Sequence, residues 1–588
     1  MWISEGGAGR TRAADDVDRE TAETGDAAGT GDTAGTGDAA GTGSEAGTGD
    51  TAAGTAKGAR PWWWTPSLVT AVTVPFYVLW AALLATGGGD LAAQLAWAGF
   101  MERHPDSAYN LSWYGGAHTA NYSVLAPPLM AFLGVRTVSV AAGLAGTWAM
   151  SALFVRSGVR RAHWPALLGA VALWCNVASG RTTFALGVAV GLFALLHVGR
   201  RVPAAVLAAL ATLTSPVAGL FLAVAGAAYA LDRRWARGAS LLVPPALVVA
   251  ATTLLFPFEG EQPMAPGKLS TPLVICAVLC CAAPRAWRVV RYGSVVYALG
   301  VVLTFLVSSP IGTNVERLLG LAGPPVLLAA LLARGPRTAL RAPVSARALA
   351  ALVLAIGLTL NTQWLLSKTD DDLKVSTTVP GWATHTGGVV AALDRLGAER
   401  TRVEVVPARN HREADVLAPH VNMARGWNRQ LDVVRGRLFY DRHTGTATLD
   451  RADYRAWLDR WAVGFVVLPH GRPDGPATAE AALVKDGPAW LERVWGDRWW
   501  TVYRVRDARP LVSRPGSVVR ADGAELTVRM AAAGAVTVRV AYSPWLRAPG
   551  ACVERAGEWT RLTVTAPGDY RLGSAYRLPR GGGGSGCG

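Results

Sequence analysis

Residues 62–90 read WWWTPSLVTAVTVPFYVLWAALLATGGGD, and this stretch decides the fold. From Thr65 to Thr86 it carries no charged residue. A helix of about 20 apolar residues crosses the roughly 30 Å hydrocarbon core of a bilayer, so the run predicts a membrane span. Three glycines and Asp90 close it, which puts an acid where the span leaves the membrane. Ionisable groups at that depth are costly and mark function. The competing reading is that Asp90 merely N-caps the next helix, DLAAQLAWAGF, a role that Asp fills well.

Ten further apolar runs follow, near 135–155, 164–178, 182–198, 203–213, 216–231, 238–256, 271–283, 293–308, 318–333 and 346–366. Composition agrees with lipid, since 51% of residues are hydrophobic and 17% charged, against about 25% charged in ordinary soluble domains. The formal net charge of +15 raises nucleic acid as a partner. The basic residues fall between apolar runs, however, and not on one polar face, which argues for topology signals and against nucleic acid. Taken alternately, one set of loops holds seventeen Lys and Arg between Lys57 and Arg347. The other set, up to the tenth run, holds only Arg103, Arg181, Lys268 and Arg317. Because Lys and Arg collect in cytoplasmic loops, the expectation is a polytopic α-helical protein of the plasma membrane. It has about eleven spans, the N-terminus inside, and everything after Leu366 outside.

The ends differ from this middle. Between Thr24 and Gly54 the unit TGDAAG recurs with almost nothing apolar larger than Ala, so residues 1–60 read as a disordered low-complexity tail. No apolar run follows Arg10 and Arg12, as a signal peptide would need. After the transmembrane domain, 61–366, charges spread evenly. Residues 367–512 are expected to form an extracytoplasmic α/β domain, in which GGVVAALDRLG is a helix closed by Gly397 and ADYRAWLDRWAVG a helix ending at Gly464. TRVEVVP and FVVLP are its buried strands. Residues 513–575, with AELTVRM, AVTVRVAY and WTRLTVTAP, are expected to form a β-sandwich-like module. Residues 576–588 are a Gly-rich flexible tail. Of six cysteines, Cys175, Cys276, Cys280 and Cys281 lie in apolar runs, and no disulfide framework or zinc site is expected.

Chemistry concentrates in the first outer loop, Gly87 to Ser123, where Asp90 is the sharpest candidate. Glu102, His104 and Asp106 form a second cluster, either a second acid or metal site or a solvated turn. Trp113, Tyr114, His118 and Tyr122 make an aromatic patch suited to the apolar faces of sugar rings, or to membrane anchoring. Arg181 and Arg317 stand in other outer loops, where Arg binds phosphate bidentately or simply snorkels. SPIGTN, with Asn314, is an interrupted element of the kind tolerated at membrane depth only inside protein or beside a cavity. In the outer domain Trp427, Asn428 and Tyr440 are candidates for acceptor contact. A secondary transporter is the rival class, but no internal repeat runs through 65–366, and a third alternative is a non-catalytic membrane protein.

This layout resembles the GT-C-type integral-membrane glycosyltransferases. The phrases GGDLAAQ, SAYNLSWYGGAH, GTNVERL, ARGWNRQLD, FYD, YRAWL, FVVLP and YSPWL…GACVE are similar to an actinobacterial group within them, over roughly residues 62–575. The resemblance implies transfer of a sugar from a polyprenyl-phosphate donor to an extracytoplasmic acceptor such as a cell-envelope glycan. It makes Asp90 the catalytic base and allows for a divalent cation. Relatives often carry two adjacent acids at this point, whereas here Asp90 is followed by Leu91.

The charge asymmetry predicts that alkaline phosphatase fused after Pro510 is active, while a fluorescent protein that folds only in the cytoplasm stays dark there. The reverse pattern would overturn the topology.

Overall fold

The computed structural model describes residues 61–333, 344–440 and 449–577. The expected tail 1–60, the basic positions Arg334, Arg337 and Arg341, Asp441 and residues 578–588 lie outside the described residues.

Each apolar run folds as a helix. Among the described residues six helices are long and apolar enough to cross a membrane: Trp64–Leu84, Val135–Arg156, Trp235–Leu255, Arg288–Leu306, Gly312–Ala333 and Ser345–Ser376. Other apolar helices are shorter, such as Thr182–Leu196, Arg201–Thr214 and Pro216–Leu231. They are short because turn residues interrupt the apolar sequence, as at Gly180, His197 and Ser215. The last helix does not stop at Leu366 but continues unbroken from Val344 to Ser376.

Packing among these helices follows the rule for lipid, with small residues inward. Helix Val135–Arg156 buries Ala142, Gly143, Gly146 and Ala149. A Cβ on Gly143 would overlap the Tyr77 ring. Large apolar side chains instead face out, among them Leu83, Val202, Leu254, Leu299 and Leu306. Such an apolar exterior is stable against acyl chains and not against water.

Beyond the helices, a four-stranded mixed sheet forms the first part of the C-terminal region. Strand Arg402–Val405 runs parallel to Val463–Pro469, which pairs antiparallel with Trp500–Val505 and that strand with Leu491–Gly496. Helix Gly387–Arg395 is followed by Gly397 at φ +73°, as its Gly ending predicts. Helix Arg451–Arg460 is capped by the Asp450 side chain, which accepts from Ala452 and Asp453 N–H. It ends earlier than expected. Ala462, at φ +55°, makes the turn, and Gly464 lies inside the following strand.

The second part of the C-terminal region has two antiparallel sheets. Leu526, Val528, Met530 and Leu572 of one and Val536, Val538, Leu562 and Val564 of the other share one core. Cys552 is disulfide-bonded, contrary to the sequence reading, because a lone cysteine in a strand gives no spacing signal.

The first outer loop is stitched into both parts through its backbone. Leu111 N–H donates to the Gly523 carbonyl, and Trp113 and Tyr114 N–H to those of Met423 and Ala424. Beneath this joint lies a buried ion network. Arg425 donates to Glu404 at 2.7 Å and to Glu480, with its guanidinium 3.9 Å from the Phe439 ring centroid. All three charged residues are almost wholly buried. Replacing one partner of such a group strands the others without compensation, at a cost of about 3–5 kcal/mol. Arg425→Met should therefore unfold the C-terminal domain early, read as a lowered melting temperature and faster proteolysis of the purified full chain.

Candidate functional site

Glycine permits the turn that ends the first helix. Gly87 and Gly89 hold φ of +96° and +65°, and a Cβ on Gly88 would lie 2.8 Å from the Ser376 carbonyl oxygen. A side chain has no room there. Arg412 of the C-terminal domain fastens the turn, donating to the Thr86 carbonyl, to Thr86 Oγ1 at 2.7 Å and to the Ser376 carbonyl at 2.8 Å. Gly89 N–H donates to the Asn410 carbonyl at 2.8 Å, and the Trp427 indole donates to the Gly89 carbonyl at 2.9 Å. Trp427 is itself stacked on His411 with ring centroids 3.7 Å apart. One segment, residues 410–427, thus grips the end of the first helix and the end of the last.

Gly89 is the N-cap of helix Asp90–Arg103, and Asp90 is its first helical residue with no side-chain capping bond. The capping role therefore does not hold. The carboxylate turns instead to Arg181, whose Nε lies 3.2 Å from Asp90 Oδ2 and whose Nη2 lies 2.8 Å from Asp372 Oδ2. Arg317 Nη2 approaches the same Asp90 oxygen at 3.9 Å, its guanidinium over the Phe184 ring. Gly180, at φ +77°, aims Arg181 by turning the chain between two helices.

Arg181 and Arg317 also line a cavity of ≈ 220 Å³. Asn314, Lys268, Lys368 and Glu316 line it too, with Leu321, Trp364 and Leu365 as an apolar wall. Lys368 Nζ is 3.2 Å from Glu316 Oε2. The side-chain N–H₂ of Asn176, another lining residue, is buried and has no acceptor among the described residues. Asp90, Arg181, Arg317 and Asn314, far apart in sequence, are therefore brought together.

The other candidates lie elsewhere. Glu102 and Asp106 are exposed and His104 half-buried, at the far end of the helix that Asp90 begins. Among the described residues no three His, Cys, Asp or Glu converge as metal ligands. The two carboxylates at the centre are taken by the Arg181 guanidinium, so this donor set does not fit a divalent cation. Trp113, Tyr114 and His118 are buried. Trp113 packs edge-on against Trp97 at 4.8 Å, and Tyr114 donates to Asp432. His118 contacts Ser543 Oγ at 3.2 Å, and burial pulls its pKa down to about 4, which keeps it neutral. Tyr122 accepts from Gln94. Tyr440 donates to Asp432 and accepts from Arg429, and Asn428 caps helix Arg429–Arg435.

Asp372, Lys268, Lys368, Asn176 and Arg412 were not singled out from the sequence. One signal was present: three of the four cations in the sparse loop set, Arg181, Lys268 and Arg317, line the same cavity. Asp372 was masked by the acidic run TDDD, which reads as solvated.

A family described as Domain of unknown function (DUF8823) matches residues 513–552, the opening strands of the second part of the C-terminal region. None of the curated proteins matches the chain.

A Cβ on Gly180 would sit 2.6 Å from Leu91 N, at the first peptide of the Asp90 helix. With the left-handed φ added, Gly180→Ala should cost about 1–3 kcal/mol and push Asp90 away from Arg181. The melting temperature of the purified variant checks this. An unchanged value would mean that the turn and the helix are not in contact.

Proposed function

We propose that this chain is a GT-C-type membrane glycosyltransferase of about eleven spans, N-terminus inside and outer domain extracytoplasmic in the plasma membrane. It moves a sugar from a polyprenyl-phosphate donor to an envelope glycan or glycoconjugate. The observation that carries this reading is the ion-paired Asp90 beside a cationic cavity with an apolar wall. The disulfide at Cys552 supports the placement of the outer part, since disulfides persist in oxidising compartments.

In this reaction Asp90 acts as general base. Its Oδ2 carries the contacts with Arg181 and Arg317, whereas Oδ1 has no hydrogen-bond or ion-pair partner among the described residues. Oδ1 takes the proton of the acceptor hydroxyl as its oxygen bonds to the anomeric carbon. The bond from that carbon to the phosphate oxygen breaks, and the electron pair leaves with the phosphate, whose charge the cavity cations meet. Arg181, held between two carboxylates, fixes Asp90 in place, which is where positioning contributes to the rate. Trp427, donating to the Gly89 carbonyl, ties the acceptor-side domain to the turn that bears the base.

Asp90→Asn keeps the shape and loses the base. Membranes holding the full chain should release polyprenyl phosphate from at least one polyprenyl-phosphate sugar in a panel. The variant should do so about 10²–10⁴-fold more slowly, with a lowered melting temperature because Arg181 loses one of its two carboxylates. Equal release by the two proteins would remove Asp90 from the chemistry.

A further inference from the structure

Behind the grip on the Asp90 turn lies His411, whose backbone is strained. It holds φ +53°, in the left-handed region, and such strain persists only where the surroundings impose it, commonly at functional sites. What the strain secures is the side chain. The buried imidazole stacks on the Trp427 indole with centroids 3.7 Å apart and planes 11° from parallel. Its Nδ1 lies 3.4 Å from Glu413 Oε1 and its Nε2 3.6 Å from Asp474 Oδ2. A neutral imidazole has one N–H and one lone pair, so either tautomer would turn a lone pair toward a carboxylate. An imidazolium turns an N–H toward each. The charges then balance, Glu413 and Asp474 against His411 and Arg429, whose Nη2 is 3.0 Å from Asp474 Oδ2. Arg412, next in the chain, is committed to the Thr86 and Ser376 carbonyls. Glu413 is buried, and among the described residues His411 is the one cation within ion-pair distance of it. A neutral ring would leave that carboxylate uncompensated, which is costly. Asp474 agrees, for burial raises its pKa but His411 and Arg429 outweigh that and hold it below the usual carboxylate range.

The indole passes this arrangement on. Trp427 Nε1–H donates to the Gly89 carbonyl at 2.9 Å, and the same carbonyl accepts Ala92 N–H at 3.1 Å in the first turn of helix Asp90–Arg103. The Arg429 guanidinium also lies 4.9 Å from the Trp427 ring. Cations are attracted to an indole face, and by polarising the ring they strengthen its N–H as a donor. We propose that His411, as the imidazolium, is a positioning residue for Asp90: it fixes the Trp427 ring, and through that ring the Gly89 carbonyl and the first turn of the helix that Asp90 begins. The proposal rests on the reading of Asp90 as the base of a transferase. It differs from the role of Arg181, which holds the carboxylate itself, because His411 sets the backbone from which that carboxylate projects.

Hydrogen–deuterium exchange of the purified full chain in lipid nanodiscs, read on a peptide covering residues 86–95, tests the link. Release of polyprenyl phosphate from the donor panel is the second readout. His411→Asn tolerates the left-handed backbone but removes charge and ring, and Trp427→Phe keeps a ring but removes the N–H. Each should speed exchange at Gly89 and Ala92 about three- to tenfold, as the loss of one hydrogen bond implies. Each should also lower kcat for release about tenfold at an unchanged donor KM. The double variant should exchange no faster than either single one, because both cut the same link. His411→Arg keeps a stacking cation between the two carboxylates and should restore most of the protection and the rate, whereas a side chain that merely filled space would not be rescued by a larger cation. Melting temperatures identify any variant that has failed to fold, and if His411→Asn is one, Trp427→Phe and His411→Arg carry the test. Unchanged exchange in Trp427→Phe, additive effects in the double variant, or exchange in His411→Arg as fast as in Trp427→Phe would overturn the proposal while leaving the transferase reading standing. Exchange that follows the stated pattern in a chain that releases phosphate from no donor would overturn the transferase reading and leave the link in place.

Discussion

The Arg181 guanidinium, held between Asp90 and Asp372, is the interaction on which the rest of the structure depends. It joins three segments that are remote in sequence: the start of helix Asp90–Arg103, the turn at Gly180 and the C-terminal end of helix Val344–Ser376. Charges at membrane depth are tolerated only when paired or solvated. Here the pairing fixes the acid, and the geometry around it follows. Glycines at 87, 88, 89 and 180 let backbones approach closely enough for the ion pairs to close. Arg412 then clamps the ends of the first and last helices together.

This arrangement ties the C-terminal domain to the turn that carries Asp90. Asn410, Arg412 and Trp427 all bond the backbone of the Thr86–Gly89 turn. The first outer loop in turn donates its backbone N–H groups to carbonyls of the C-terminal region. A buried Arg425 with two buried glutamates lies behind that seam. Such networks are costly to assemble and more costly to break in half, so an error in the C-terminal fold is transmitted to the turn that carries Asp90.

Much of this was legible in the sequence, for identifiable reasons. Apolar runs and Gly or Pro breaks mark the helices because lipid imposes one simple constraint. Asp90, Arg181, Arg317 and Asn314 stood out because polar residues are rare beside such runs. The aromatic residues of the first outer loop gave a weaker signal. Trp113 and Tyr114 are buried at a seam, and sequence pattern does not distinguish an aromatic side chain facing a ligand from one packed in a joint. Asp372 and Lys368 were hidden because the last helix runs on past its apolar part, so a charged stretch that reads as solvent-facing still brings Lys368 to the cavity and Asp372 to Arg181. Arg412 acts through contacts between distant segments, which no local pattern records.

The central claim is that the cavity beside Asp90 holds a lipid-borne phosphate with the acid poised next to it. Electron cryomicroscopy of the full chain in nanodiscs with a prenyl phosphodiester tests this most directly. The account predicts phosphate density among the cavity cations, prenyl density along Leu321 and Leu365, and the Asp90 carboxylate still on Arg181 with Oδ1 open to the bound ester. An empty cavity with the lipid bound elsewhere, or a separated Asp90 and Arg181, would contradict it.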